Sequence, residues 1–228
     1  EILFNKDYHY RAHITKTIVN SLKNFCAATE EFIDLNSTTK VLDIGCNDGT
    51  LLNFFKQKGA QTFGVEPSDA IKRAKNNGHS TTQDYFNSKL AIQLKEEGIV
   101  PDLITFTNAF AHIEDLRDLC EAIKIISNEK TLLAIENHYL GSILKKNHFD
   151  TFYHEHPRTY SVKSFEYIAK KLSLDILKVE FPDRDGGNIR LILGKKEYFK
   201  NNNFHIKDEI EFEQEILLMQ KKTDKWKK

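Results

Sequence analysis

Short apolar runs alternate along this chain with longer amphipathic stretches. The runs at 40–44, 61–65, 80–82, 102–106 and 131–136 have the length of buried strands, and the segments between them carry helical spacing. Residues 49–58 set Leu51, Leu52, Phe54 and Phe55 on one stripe and end at Gly59, placed as a C-terminal cap. Residues 68–77 open on Ser68 as N-cap and close on Asn76-Asn77-Gly78. Further helices are predicted at 87–97 and 116–127. Strands and helices in strict alternation predict an α/β fold, a mostly parallel sheet with helices on both faces.

Beyond residue 136 the rhythm changes. A polar, histidine-rich stretch at 147–160 precedes a helix at 164–172 and strands at 175–180 and 188–193. Pro182-Asp183-Arg184-Asp185-Gly186-Gly187 joins those strands, which predicts a late antiparallel hairpin closing the sheet edge. Ile14, Ile18, Leu22 and Phe25 recur at helical spacing and predict a helix covering the sheet. The charged tail at 207–228 reads as a helix, either solvated or contacting another copy in a homo-oligomer. The expected organisation is a covering segment at 1–39, a main domain at 40–199 with an insertion for the substrate site near 137–160, and a charged helix at 200–228.

Composition narrows the function. The length, 228 residues, suits one well-cored domain. Lys and Arg (33) balance Asp and Glu (33), so no overall field draws the molecule to nucleic acid or anionic lipid. No apolar stretch approaches the ~20 residues of a spanning helix, so no membrane partner and a cytoplasmic location are expected. Cys26, Cys46 and Cys120 are scattered and form no Cys-x-x-Cys pair, so free thiols are expected rather than a zinc framework. The chain starts at Glu1, which leaves open whether residues precede it in the native protein.

The first strand runs into Asp43-Ile-Gly45-Cys-Asn47-Asp-Gly49-Thr, a turn that lets a ligand approach the backbone beside a helix N-terminus. A dinucleotide fingerprint G-x-G-x-x-G would need glycine at Asn47 and Thr50, so NAD is disfavoured. Asp43-x-Gly45-x-Asn47-x-Gly49 resembles instead the first motif of class I S-adenosylmethionine methyltransferases, with Asn47 at the middle glycine. Asparagine tolerates positive φ, so the change is mild. Glu66 ends the second strand in Gly-Val-Glu-Pro, where an acid can accept both ribose hydroxyls. Its structural alternative is a charge at a helix start. Asp84 and Tyr85 follow the third strand, where this class contacts adenine, and Asn108 follows the fourth; an exposed loop acid is the alternative for Asp84.

His112 leaves the fourth strand at the edge where open α/β sheets bind ligands. Tyr153-His154-Glu155-His156 then puts four groups able to bind or relay protons in succession. With a reference pKa of ~6.5, histidine suits proton abstraction near neutrality, and Glu155 or Tyr153 could orient it. A divalent metal on His112, Glu155 and His156 is the alternative, although their spacing is not the helical H-E-x-x-H.

With these residues in view, the chain resembles the sugar-nucleotide C-methyltransferases that build branched deoxysugars. The resemblance spans residues 8–194. It rests on Asp43-Ile-Gly-Cys-Asn-Asp-Gly-Thr-Leu-Leu52, Gly64-Val-Glu-Pro67, Asn108-Ala-Phe-Ala-His-Ile113, Phe149-Asp-Thr-Phe-Tyr-His-Glu-His156 and Gly186-Gly-Asn-Ile-Arg190 in one order. It implies the class I Rossmann-like fold, S-adenosyl-L-methionine as methyl donor and a nucleotide-linked sugar as acceptor. It also implies His156 as the base, assisted by Glu155, Tyr153 and His112. Departures are Pro157 and Arg158 for an apolar and a small polar residue, Asp185 for a histidine, and Asn137-His138 for an apolar-proline pair. Relatives have a zinc module and a further domain that this sequence lacks, so a catalytic core alone is expected. Arg158, Arg184 and Asn188 are candidates for gripping the nucleotide sugar, with exposed loop charge as the arginines' alternative.

His156 with Glu155 could serve methylation of oxygen, which needs a late deprotonation, or of carbon, which needs an enolate. The absence of the domain that completes the ketosugar site tilts the expectation toward a sugar hydroxyl. C-methylation of a ketosugar and a non-catalytic donor-binding subunit remain the alternatives.

Overall fold

The computed structural model of the chain describes residues 8–148, 151–152, 156–184, 186–199 and 212–226. In chain order the elements are α1 (Lys16–Thr29), β1 (Lys40–Ile44), α2 (Thr50–Gln57), β2 (Gln61–Val65), α3 (Ile71–Asn76), β3 (Ser80–Thr82), α4 (Ser88–Glu96) and β4 (Leu103–Thr107). They continue with α5 (Leu116–Ile126), β5 (Leu132–His138), α6 (Leu140–Lys146), α7 (Val162–Leu172), β6 (Asp175–Glu180), β7 (Asn188–Gly194) and α8 (Phe212–Trp226).

Seven strands form one sheet in the order β3-β2-β1-β4-β5-β7-β6. The first five are parallel; β7 runs antiparallel between β5 and β6. The expected late hairpin is therefore present, with its second strand docked inward against β5. Chain direction across the sheet reverses between β1 and β4, and the crevice at such a switch is where ligands settle in open α/β sheets.

The alternating strand residues feed two cores. Leu42, Ile44, Ile104, Phe106, Leu133, Ile135, Leu191 and Leu193 pack with α4, α5 and α7. Val41, Leu103, Leu132, Ala134 and Ile192 pack with Phe25 of α1 and Leu51 and Phe55 of α2. Helix starts follow local chemistry: the Asn87 side chain accepts from Leu90 N–H, Asp115 accepts from Arg117 and Asp118, and Ser161 with Ser164 forms a reciprocal capping box. Gly59 takes φ 100° just past α2, as a C-terminal cap requires.

Four expectations change. The helix expected from Ser68 begins at Ile71, because Ser68 N–H donates to Glu66 Oε1 at 3.0 Å and its hydroxyl only accepts a 3.4 Å bond from Ala70 N–H within the turn. Ile14 lies outside α1 and is 71% exposed, in a short 3-10 turn held by bonds to the loop after β1. The helix expected at 164 begins at Val162, one turn position after its Ser161 cap. Strand β5 continues two residues past its expected end, to His138, because β7 pairs with it over that length.

Helix α6 was not foreseen. Its signals are Leu140, Ile143 and Leu144 at helical spacing and Asn147, which caps it at φ 58°. Among the described residues no helix is long and apolar enough to cross a membrane.

Candidate active site

Between β1 and α2 the chain makes three left-handed steps, with φ 73° at Gly45, 50° at Asn47 and 77° at Gly49. A Cβ on Gly45 would lie 2.7 Å from that of Ala109, and one on Gly49 2.7 Å from that of Ala74. Both backbone and space therefore demand glycine at these two positions. The contact with Ala109 also shows that the loop after β4 lies directly against the loop after β1.

Asn47 uses the side chain that a glycine would lack. Its Oδ1 accepts from Ala12 N–H and its Nδ2 donates to the Tyr10 carbonyl, each at 3.0 Å. Asp48 beside it is buried and accepts from His13 N–H at 3.0 Å and from the Thr50 hydroxyl, with His13 Nδ1 also against it. Burial pushes the Asp48 carboxyl up, but the bonds from Thr50 and His13 outweigh it and hold the group below the ordinary carboxylate range. The stretch from Tyr10 to His13 is thus tied over the loop by both side chains.

Glu66 closes β2 with its two oxygens pinned apart: Oε1 accepts from Ser68 N–H at 3.0 Å and Oε2 from Asn47 N–H at 3.1 Å. A carboxylate held this way keeps further acceptor capacity on each oxygen. Asp43, buried in β1, accepts from the Thr105 hydroxyl at 2.7 Å. Burial raises its pKa to about 7, against the Thr105 bond and with help from the charge of Glu66. Asp84 and Tyr85 stand exposed beyond β3, where Tyr85 N–H donates to Asp84 Oδ1 at 2.7 Å. Burial, then the charges of Glu66 and Asp84, raise the Tyr85 hydroxyl above its ordinary range.

Across the switch, Asn108 leaves β4 at φ 53°, its N–H donating to the Glu136 carbonyl at 2.8 Å. Its Oδ1 accepts from Asn188 Nδ2 at 3.2 Å, so two residues expected on different ligands meet here. The 3-10 turn Phe110–His112 follows, anchored by the fully buried Phe110. It delivers His112 to His156, with ring centroids 4.9 Å apart. His156 Nδ1 lies 3.2 Å from the Thr151 carbonyl. A carbonyl can only accept, so Nδ1 carries the proton and, in the neutral ring, the lone pair sits on Nε2.

The arginines take positions that charge counting could not assign. Arg158 donates from its two terminal nitrogens to the Ile113 and Glu114 carbonyls, both at 2.7 Å, and so fastens the His156 segment to the His112 turn. Arg184, only 8% exposed at its side chain, reaches Glu136 Oε1 at 3.5 Å. Glu136 is fully buried and also receives Asn188 Nδ2 at 3.1 Å and Arg190 Nε at 2.8 Å. Arg190 continues to Glu180 at 3.0 Å. Composition alone marked neither Glu136 nor Arg190 as part of the site; their cross-strand pairing between β5 and β7 reveals them.

Tyr153 and Glu155 lie outside the described residues. Among the described residues no three His, Cys, Asp or Glu side chains are grouped to hold a metal ion.

This arrangement has known counterparts. The chain is similar to the structure of an S-adenosylmethionine-dependent methyltransferase from Archaeoglobus fulgidus, with TM-score 0.60 and 16% identity over 79% of this chain and 94% of that one. It is also similar to the S-adenosylmethionine-dependent methyltransferase from Clostridium acetobutylicum, with TM-score 0.58 and 14% identity over 78% and 92%. A third counterpart is magnesium protoporphyrin IX methyltransferase from Synechocystis with bound SAH, with TM-score 0.56 and 16% identity over 79% and 83%. Fold and site together define a class I S-adenosylmethionine-dependent methyltransferase. The family model described as a methyltransferase domain matches residues 10–179, and the chain belongs to that family. Among curated proteins it is similar to the C-methyltransferase NovU of Streptomyces niveus, 27% identical over 190 residues. That match takes in 83% of this chain and 45% of NovU, so the chain spans less than half of that relative's length.

Proposed function

We propose that the chain methylates a nucleotide-linked sugar, with His156 as the base on the acceptor side. The observation that carries this reading is the His156 ring, which packs against His112 and whose Nδ1 meets the Thr151 carbonyl, so that in the neutral ring the lone pair is on Nε2. In the bound state the donor supplies a methyl carbon on a positively charged sulfur.

The chain fits such a donor by its own chemistry. The Gly45–Gly49 turn permits close approach, Glu66 offers two fixed oxygens to a vicinal diol, and Asp84 and Tyr85, beyond β3, are proposed for the adenine. Asp43 and Asn47 support the loop from beneath and from the N-terminal side. Asn108 is proposed for the donor and Asn188, bonded to it, for the acceptor, while Tyr153 and Glu155 are proposed to assist His156.

We put an acceptor carbon beside a ketone first. Similarity to a C-methyltransferase favours it, and a neutral imidazole in a fixed orientation is the kind of base that removal of a carbon-bound proton needs. A sugar hydroxyl is the second reading, since the same base could take its proton late in the transfer. Arg158 and Arg184 grip the chain's own carbonyls and Glu136, so their part in sugar binding is proposed as indirect, through the loops they fix.

Incubation with S-adenosylmethionine and a panel of nucleotide sugars, read by mass and by the methyl resonance, tests this. A methyl on carbon supports the first reading and a methyl on oxygen the second; a methylated acceptor outside the sugar nucleotides overturns both. His156→Ala is expected to lower turnover by about 10²–10⁴-fold and to leave donor binding intact by calorimetry. Full activity in that variant sinks the base assignment.

A further inference from the structure

A third imidazole stands at this site. Strand β5 ends in His138, whose ring meets that of His156 at 4.7 Å between centroids and 89° between planes, an edge-to-face contact. The rings of His112 and His156 lie 4.9 Å apart at 39°. His156 thus touches imidazoles from two separate elements, the turn after β4 and the end of β5. The three meet only through the tertiary fold.

We propose that His138 is a positioning residue that holds the His156 ring in its working orientation. The inference rests on the reading of His156 as the acceptor-side base.

Three features support it. First, the support is stiff. His138 is the last residue of a central strand, directly opposite Asn188 of β7. Asn188 is itself tied to Glu136 Oε1 and Asn108 Oδ1, and Glu136 is held by Arg190. Residues 136, 138 and 188 alternate onto one face of the sheet, so the polar column that starts with the buried Glu136–Arg190 pair ends against the His156 ring. Second, His156 and the residues after it to Thr159 lie in neither a strand nor a helix, so the ring has to be oriented by contacts from rigid elements. Thr151 fixes one ring nitrogen from the same segment; His138 fixes the ring plane from the sheet. Third, an edge-to-face contact is directional: rotation of either ring by a quarter turn loses it.

A base displaced by about 1 Å loses on the order of 10²-fold in rate, so His138→Ala is expected to lower kcat by about 10- to 100-fold with little change in KM. His138→Phe, which restores a flat ring in the same place, is expected to recover part of that loss. Long-range proton–nitrogen spectra of the full-length chain, labelled with 15N-histidine and assigned with His156→Ala, give a readout that needs no acceptor. The His156 ring signals should shift in His138→Ala and return toward the wild-type position in His138→Phe. The His79 signals should stay put, because that ring is bonded to Thr62 and Asn53 elsewhere in the sheet.

Unchanged His156 signals in both variants overturn the proposal, as does an unchanged kcat in His138→Ala on a nucleotide sugar that the wild type methylates. If instead His156→Ala keeps full turnover, the base reading itself fails. A loss in His156→Ala without one in His138→Ala removes only the positioning role.

Discussion

The two sides of the crevice are built in different ways. The proposed donor side is one short stretch of chain: strand, left-handed loop and helix within residues 40–57, with Glu66 arriving just past the next strand. Backbone N–H groups and glycines do its work, and its acids are buried or pinned. The acceptor side is assembled from β4, β5, β7 and the segment before α7, and its side chains hold one another across those elements. A site made of backbone is specified by a few residues that cannot be exchanged. One made of side-chain contacts depends on every element that carries a member.

Breaking the acceptor side should therefore cost most. Glu136→Ala leaves Arg190, 6% exposed, and Asn188 without their shared buried acceptor; a loss of about 3–5 kcal/mol is expected in denaturant unfolding. Replacing Glu136 and Arg190 together by apolar residues of similar size should lose much less than the two single changes summed. If the single changes add, the column is not a unit.

The donor side should respond instead to pH. Between pH 3.8 and about 7 the native Asp43 keeps a proton that the unfolded chain has already lost, so this group's contribution to stability falls as pH rises across that window. The full effect, present above pH 7, is up to about 4 kcal/mol. Asp43→Asn cannot titrate, so the stability difference between variant and wild type should move in the variant's favour between pH 4 and pH 8. Urea unfolding at the two pH values decides it; a difference that does not change with pH argues against a raised Asp43.

A smaller effect is expected at Gly45. Alanine there must adopt φ 73° and push its Cβ toward Ala109, for a loss of about 1–3 kcal/mol together with weaker S-adenosylmethionine binding by calorimetry. Undiminished binding would show that the loop has more room than its packing suggests.

The same contrast explains what could be read before the fold was known. β1 and β2 lie at their expected positions because buried strands are short apolar runs bounded by turn residues; β3, Ser-Thr-Thr, and the half-buried β6 also do, although their residues are largely polar or alternate. Gly45, Asn47, Gly49 and Glu66 were legible because the ligand loop is contiguous and its spacing follows from geometry. Convergence of His112 with His156 was implied by the family resemblance, and for His112 also by the sheet edge at which it leaves β4. His138 and Glu136 were not legible: apolar pattern alone ended β5 at 136, and only pairing with β7, a strand fifty residues away, extends it. Nor could the pattern foresee that Arg158 and Arg184 point at the chain itself, since a guanidinium in a loop looks the same whether its partner is a phosphate or a carbonyl. The turn at Ser68 misled for a related reason, because its hydroxyl meets only the Ala70 N–H, at 3.4 Å, inside a turn that Glu66 closes from the other side.

Asn47 gives the donor loop a mechanical neighbour. Its amide clasps the Tyr10 carbonyl and the Ala12 N–H while its own N–H rests on Glu66. One residue is thus a hinge pin joining three pieces: the leading segment, the loop and the acid at the end of β2. The path from residues 10–13 to Glu66 runs through the Asn47 side chain and its peptide N–H, with Asp48 holding His13 beside it. The segment that precedes the first helix is therefore part of the donor site's mechanics.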